Sequence, residues 1–319
     1  DVVLSRGLGD VYKRQLRLQF ALLQKIPVQD ANQTFIVERG DSLYGILSNL
    51  EEKYNLSSTW WIRFKYMFKE SPVIKAGRYN IFPNTTVSEL IERFEDGDVQ
   101  LFKIAIIEGT VAKNNLVNLE NIIEDQNLNF EVPQSVRDIF AKEALIMPDT
   151  YFFSDAQDLK KVLNNSKLFL DEYLNNAWKE KSKNNPLQSP YEALVLASII
   201  EREAVLPSEQ EKIASVFLSR LNIDMKLQAD PTSSYGFYGD YGKKIGRAVL
   251  DDKNPYNTYQ NKGLPPGPIC YPSKGAIDAA IKSSPGEFYY FVAKGDGSHI
   301  FSKTYEEHNK AVKKYIYSK

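Results

Sequence analysis

Hydrophobic and polar positions along the chain switch repeatedly between the strand and helix periods. Thr34-Phe-Ile-Val-Glu38 reads as a strand, and Arg39-Gly-Asp-Ser42 as a turn that ends in a helix cap. Leu43, Ile46, Leu47 and Leu50 then recur at helical spacing, and 60–68 is a second helical stretch with aromatics on more than one face. Residues 76–82 form a short strand, Thr86-Val-Ser-Glu89 a capping box for a helix through Phe94, and 101–107 another strand. Residues 110–190 are mostly helical and polar, with Leu116, Leu119, Ile122 and Ile123 on one helix face and Met147-Pro-Asp-Thr-Tyr-Phe-Phe153 as an aromatic interruption. Lys181-Ser-Lys-Asn-Asn-Pro186 is a charged, turn-rich boundary.

Beyond that boundary Ser189 and Pro190 start a helix whose apolar run, Leu194-Val-Leu-Ala-Ser-Ile-Ile200, ends in Glu201-Arg-Glu203 and stops by Pro207. Ser208-Glu-Gln-Glu211 reads as a capping box for the next helix, with Ile213, Val216, Phe217 and Leu221 on its apolar face. A region rich in Gly, Pro, Asn and Tyr follows, from Leu227 to Pro268, and reads as long loops. Ser273 caps a helix over 274–282; 288–293 and 299–301 form a hairpin about Gly295-Asp-Gly297, and 304–317 is a closing helix.

The fold class expected is therefore α+β: a small α+β module over 34–108, a helical lead-in over 109–188, and a mostly helical domain over 189–319 with a terminal hairpin and helix. Asp1-Val-Val-Leu-Ser-Arg-Gly-Leu-Gly-Asp-Val-Tyr-Lys-Arg-Gln15 fits nothing downstream and reads as translated adaptor sequence, and 16–33 reads as a linker. The first residues of the native chain, with any anchor they carry, are expected to be missing.

Composition narrows the chemistry. A net charge of -1 gives no basic field for nucleic acid. One cysteine, Cys270, and two histidines, His299 and His308, exclude a disulfide framework and any Cys- or His-rich metal site within the chain. No phosphate-binding glycine loop and no nucleophile elbow are present, so no metal or cofactor is expected and carboxylates carry the chemistry. Glu201 and Glu203 lie about 200° apart on a helix, so one groove takes only one of them. Glu203 stands over Ile199 and Ile200, Glu201 over Ala197 and Ser198. The more desolvated carboxyl has the higher pKa, which makes Glu203 the candidate general acid and Glu201 a supporting carboxylate paired with Arg220 or Arg247. Asp230, before Pro231, is the next carboxylate of interest, with a plain Asp-Pro turn as its alternative reading.

Ala197-Ser-Ile-Ile-Glu-Arg-Glu203, Leu227-Gln-Ala-Asp-Pro-Thr232, Tyr235-Gly236, Tyr256-Asn-Thr-Tyr259, Gly263-Leu-Pro-Pro-Gly267 and Gly297-Ser-His-Ile-Phe301 together resemble the endolytic murein transglycosylase family. Upstream, Val37-Glu-Arg-Gly-Asp-Ser-Leu-Tyr-Gly-Ile46 resembles the opening of a LysM-type peptidoglycan-binding module. The resemblance implies a lytic transglycosylase of cell-wall biogenesis, anchored by a single span in the cytoplasmic membrane with its catalytic part outside, acting on peptidoglycan strands and working alongside cell-wall synthases. It maps the catalytic glutamate onto Glu203. Gln228, Asp230, Thr232, Tyr235, Asn257 and Tyr259 are the expected groove residues. A glycoside hydrolase using Asp230 as its second carboxylate and a non-catalytic peptidoglycan binder are the competing readings.

Overall fold

A computed structural model describes residues 2–29, 33–67 and 71–317, with side chains from residue 11 onward. Residues 1, 30–32, 68–70 and 318–319, which some expectations above also span, lie outside the described residues. The chain divides into two compact units, Asp1–Phe102 and Lys103–Lys319.

The first unit contains α1 (Val2–Leu23), β1 (Gln33–Val37), α2 (Leu43–Tyr54), α3 (Trp60–Met67), β2 (Gly77–Ile81) and α4 (Val87–Asp96). β1 and β2 pair antiparallel, with Phe35 opposite Tyr79. The side chains of Phe35, Tyr79, Ile46, Leu50, Leu90 and Phe94 are buried together. Ser42 caps α2 by accepting the Gly45 amide, and Thr86 with Glu89 forms the expected capping box on α4. The expected linker over 16–33 is instead structural. α1 runs to Leu23, Ala21, Ile26 and Val28 are buried in this core, and the Ile26 and Val87 amides donate to the Thr85 and Gln24 carbonyls. Apolar side chains that match a core cannot remain a solvated tether. The adaptor-like residues continue the same helix, and Val11 and Tyr12 stay exposed. Among the described residues no helix is long and apolar enough to cross a membrane.

β3 (Phe102–Ala105) starts at the last residue of the first unit and leads into the second, which goes on with α5 (Ala112–Asp125), α6 (Gln134–Phe140), β4 (Thr150–Phe153) and α7 (Ala156–Trp178). It continues through α8 (Pro190–Glu203), a 3₁₀ turn at Pro207–Glu209, α9 (Gln210–Asn222), α10 (Asp230–Tyr238), α11 (Arg247–Asp251) and α12 (Lys274–Lys282). The hairpin β5 (Tyr290–Ala293) and β6 (His299–Ser302), α13 (Tyr305–Val312) and a π turn at Lys313–Tyr317 close it. β3 pairs with β4, and β5 with β6 antiparallel, Phe291 facing Phe301.

α8 is the axis of this unit. Ser189 caps it by accepting the Glu192 amide, Pro190 occupies the first turn, and every residue from Ala193 to Ile200 is buried. α9 and α12 pack around it through Ile213, Phe217, Ile277 and Ile281. Residues 109–188 and 189–319 fall within the same compact unit. Asn185, within the expected boundary, is buried and donates to the Ala280, Ile281 and Ser283 carbonyls. The Ser208 capping box also fails to form: Ser208 lies inside the 3₁₀ turn, so Glu209 becomes the cap residue of α9 and makes no side-chain cap bond. The expected loops over 227–268 contain α10, which Pro231 starts from its first turn, as its fixed φ allows.

Gly236 sits where a Cβ would fall 2.0 Å from Asn254 Oδ1. Asn254 organises the next loop by accepting the Tyr256 and Asn257 amides, so it cannot retreat without losing both bonds. Gly236→Ala is expected to destabilise the chain by about 1–3 kcal/mol, measured as a lowered denaturation midpoint at unchanged m-value.

Candidate active site

Glu203 is the last residue of α8, and the helix sets its environment from both directions. Its carboxyl stands at the negative end of the helix dipole, which disfavours a second negative charge. It lines a groove of about 390 Å³ and is half-buried. It has no hydrogen-bond or ion-pair partner among the described residues. Burial, then the negative charge of Asp230, push its pKa up to about 8, against the opposing charges of Arg220 and Arg202. A carboxyl that stays protonated at neutral pH, faces a groove and makes no bond of its own is equipped to give a proton away.

Arg220 comes from the buried face of α9 and is held by acceptors that are not carboxylates. Its Nε donates to the Tyr289 carbonyl at 2.7 Å and its Nη1 to the Leu227 carbonyl, while the guanidinium lies over the Tyr290 ring. The cation therefore stands near Glu203 without forming an ion pair, a placement that favours the ionised carboxyl once its proton has left.

Asp230 lines the same groove from the first turn of α10, is exposed, and accepts the Tyr259 hydroxyl at 2.7 Å. Gln228 lines it too and is held in the left-handed region at φ 48°, uncommon for a residue with a side chain. The groove thus brings together Glu203, Gln228, Asp230 and Tyr259 of the residues expected from sequence.

The others go elsewhere. Thr232 is fully buried, its hydroxyl 2.7 Å from the Ala229 carbonyl and 2.8 Å from Thr258 Oγ1. Asn257 is fully buried as well; its amide donates to the Val249, Leu250 and Asp252 carbonyls and its oxygen accepts from Ser233. Both knit the α10–α11 segment together beneath the groove wall, because side chains with this many polar partners can be buried without cost to the fold. Tyr235 lines a different cavity and donates to Glu143 at 3.2 Å.

Glu201 points away from the groove. Its Oε2 accepts the Ser273 amide at 3.0 Å and the Ser273 hydroxyl at 2.5 Å, bracing the residue that caps α12. The expected pairing with Arg220 or Arg247 does not occur; Arg247 meets Asp251 at 3.4 Å.

One groove wall was missed in the sequence. The hairpin and α13 contribute Tyr290, Tyr305, His299 and His308. His308 stacks on Tyr290, its Nδ1 is buried without a hydrogen-bond partner among the described residues, and burial and then Arg220 hold its pKa down. His299 is fixed by Glu209, Nδ1 to Oε2 at 2.7 Å. Only their number, two histidines close together near one end, distinguished them in sequence.

The model of the YceG-like family matches residues 35–314. The chain is 30% identical to the endolytic murein transglycosylase of Bacillus subtilis (strain 168), the match covering 92% of this chain and 88% of that protein. It is 26% identical to the endolytic murein transglycosylase of Streptococcus pneumoniae serotype 2 over 94% of its own length, and spans 62% of that protein. A crystal structure of a yceG-like protein from Listeria monocytogenes superposes with a TM-score of 0.54 at 28% identity, covering 87% of this chain and 98% of that one.

Proposed function

The chain belongs to the YceG-like family, and from that premise we propose that it is a lytic transglycosylase that cuts peptidoglycan strands internally, with Glu203 as acid and then base. The observation that carries this reading is the Glu203 carboxyl, which lines the groove without a hydrogen-bond partner among the described residues and with a cation nearby, its pKa pushed up to about 8 by burial. Protonated Glu203 gives its proton to the glycosidic oxygen between N-acetylmuramic acid and N-acetylglucosamine as that bond breaks. The resulting carboxylate, favoured by Arg220, then removes the proton from the C6 hydroxyl of the same muramic unit. That oxygen bonds to C1, closing a 1,6-anhydro ring, and Glu203 regains the proton it began with. Gln228, Asp230 and Tyr259 line the groove and are suited to hydrogen-bond the sugars. The first unit, by its LysM resemblance, is proposed to hold glycan, and the site of action is proposed to be outside the cytoplasmic membrane, where the strands lie.

Asp230 supports one alternative. It shares the groove and its charge reaches Glu203, which a hydrolase with two carboxyls would also require. Digestion of purified peptidoglycan separates the two: anhydro ends select the transglycosylase, reducing ends the hydrolase.

Glu201 gives a contrasting prediction. Glu201→Ala removes a charged acceptor from the Ser273 amide and hydroxyl and is expected to lower stability by about 1.5–3 kcal/mol. Its cleavage rate, measured well below the unfolding transition, is expected to stay within about ten-fold of the parent, since the carboxyl faces away from the groove.

A further inference from the structure

The second unit holds another cavity, of about 800 Å³, that shares no lining residue with the Glu203 groove. It lies at the opposite end of α8, where Ser189, Pro190, Tyr191 and Leu194 line it. Tyr191 and Glu203 are twelve residues apart on that helix, about 18 Å along its axis.

The walls have a definite chemistry. Tyr191, half exposed, stands with Tyr235 and Tyr256, the latter two packed edge to face at 5.0 Å. The hydroxyls of Tyr191 and Tyr256 converge over Gly267, each 3.2 Å from where a Cβ would stand, so a larger residue there would displace them. Behind them Glu143 accepts the Tyr235 hydroxyl at 3.2 Å and the Ala112 amide at 2.7 Å, which fixes the Tyr235 ring in the wall. Burial pushes the Glu143 pKa up to about 7 despite these two bonds, so this carboxyl is partly neutral near pH 7. Lys142 and Asp171 offset each other, and Asn175 adds an amide at the rim.

A cavity with aromatic walls, hydroxyl and amide groups and almost no net charge does not suit a phosphate or an acidic peptide. It suits a neutral ligand with apolar faces and a fringe of hydroxyl and amide groups. We propose that this cavity is a second saccharide-binding site, separate from the reacting centre, that takes neutral N-acetylated sugar units of the glycan strand. The proposal rests on the glycan reading of the groove. It gives that reading a second grip on the strand, remote from the bond being cut, and makes longer strands bind more tightly than short ones.

The test uses the full chain carrying Glu203→Gln, labelled with fluorotyrosine, and chitotetraose as the neutral probe. Tyr191 and Tyr290 resonances, assigned with Tyr191→Phe and Tyr290→Phe, report the cavity and the groove separately. The Tyr191 signal is expected to shift saturably as chitotetraose is added. Asn175→Trp, an exposed position on α7 whose bulk fills the cavity mouth, is expected to weaken that response at least ten-fold while the Tyr290 response persists. A Tyr191 signal that stays fixed while Tyr290 responds overturns the inference and leaves the groove reading intact. A fixed signal at both positions overturns it as well. A saturable Tyr191 shift in a protein whose unsubstituted form leaves peptidoglycan uncut upholds the cavity and removes the catalytic reading instead.

Discussion

Glu203→Gln is expected to lower peptidoglycan cleavage by about a thousand-fold or more, measured as the initial rate of soluble product release. One general acid or base contributes about 10² to 10⁴ in rate, and here a single carboxyl serves in both roles. Gln keeps the shape of the side chain, so the loss reads the proton and not the packing. A rate within ten-fold of the parent would remove Glu203 from the chemistry.

The same substitution has a stability signature of opposite sign. A carboxyl whose pKa rises from 4.5 unfolded to about 8 folded binds more protons in the native state across that window. Its contribution to stability is fully present below about pH 4.5 and is lost as pH rises toward about 8, at up to about 1.4 kcal/mol per pH unit. The Gln variant has no charge to bury. It is expected to melt higher than the parent at pH 8 and above, and the difference is expected to shrink as pH is lowered to 5. Dead but more alkali-stable is the pattern of a carboxyl kept for function at the expense of the fold.

Arg220→Met is the second large effect. It leaves the Tyr289 and Leu227 carbonyls without their donor in a buried setting and takes the nearby cation from Glu203. A loss of about 3–5 kcal/mol is expected in denaturant unfolding. In the folded fraction the Glu203 pKa is expected to move further up, so the alkaline limb of the pH–rate profile shifts to higher pH. Arg220→Lys restores the charge but not the two-armed geometry, and is expected to bring the limb back while recovering only part of the stability. An alkaline limb unmoved in the Met variant would separate Arg220 from the reacting carboxyl.

How much of this could be read from sequence depended on how local each signal was. The start and end of α8 are set by Ser189, Pro190 and the glutamates themselves, and the structure keeps them where the spacing predicts. The α2, α4 and α12 caps were equally legible, because each is made within three residues. Ser208 failed as a cap because Pro207–Glu209 coils into a 3₁₀ turn, which moves the start of α9 to Gln210 and makes Glu209 its cap residue. Thr232 and Asn257 looked like groove residues because polar side chains in a loop-rich stretch suggest a surface, yet Thr258 and Ser233 satisfy them inside. The separation of Glu201 from Glu203 was legible from helix geometry alone, whereas the Ser273 partner was not. Glu143 could not be singled out, since the segments that bury it meet only in the folded unit.

The most direct test of the central claim is mass spectrometry of the fragments released from purified peptidoglycan by the full chain. One carboxyl acting as acid and then base predicts ends lighter than the hydrolytic product by one water, the 1,6-anhydro form, and their absence with Glu203→Gln. Reducing ends from the parent chain, or anhydro ends that persist in the Gln variant, would contradict it.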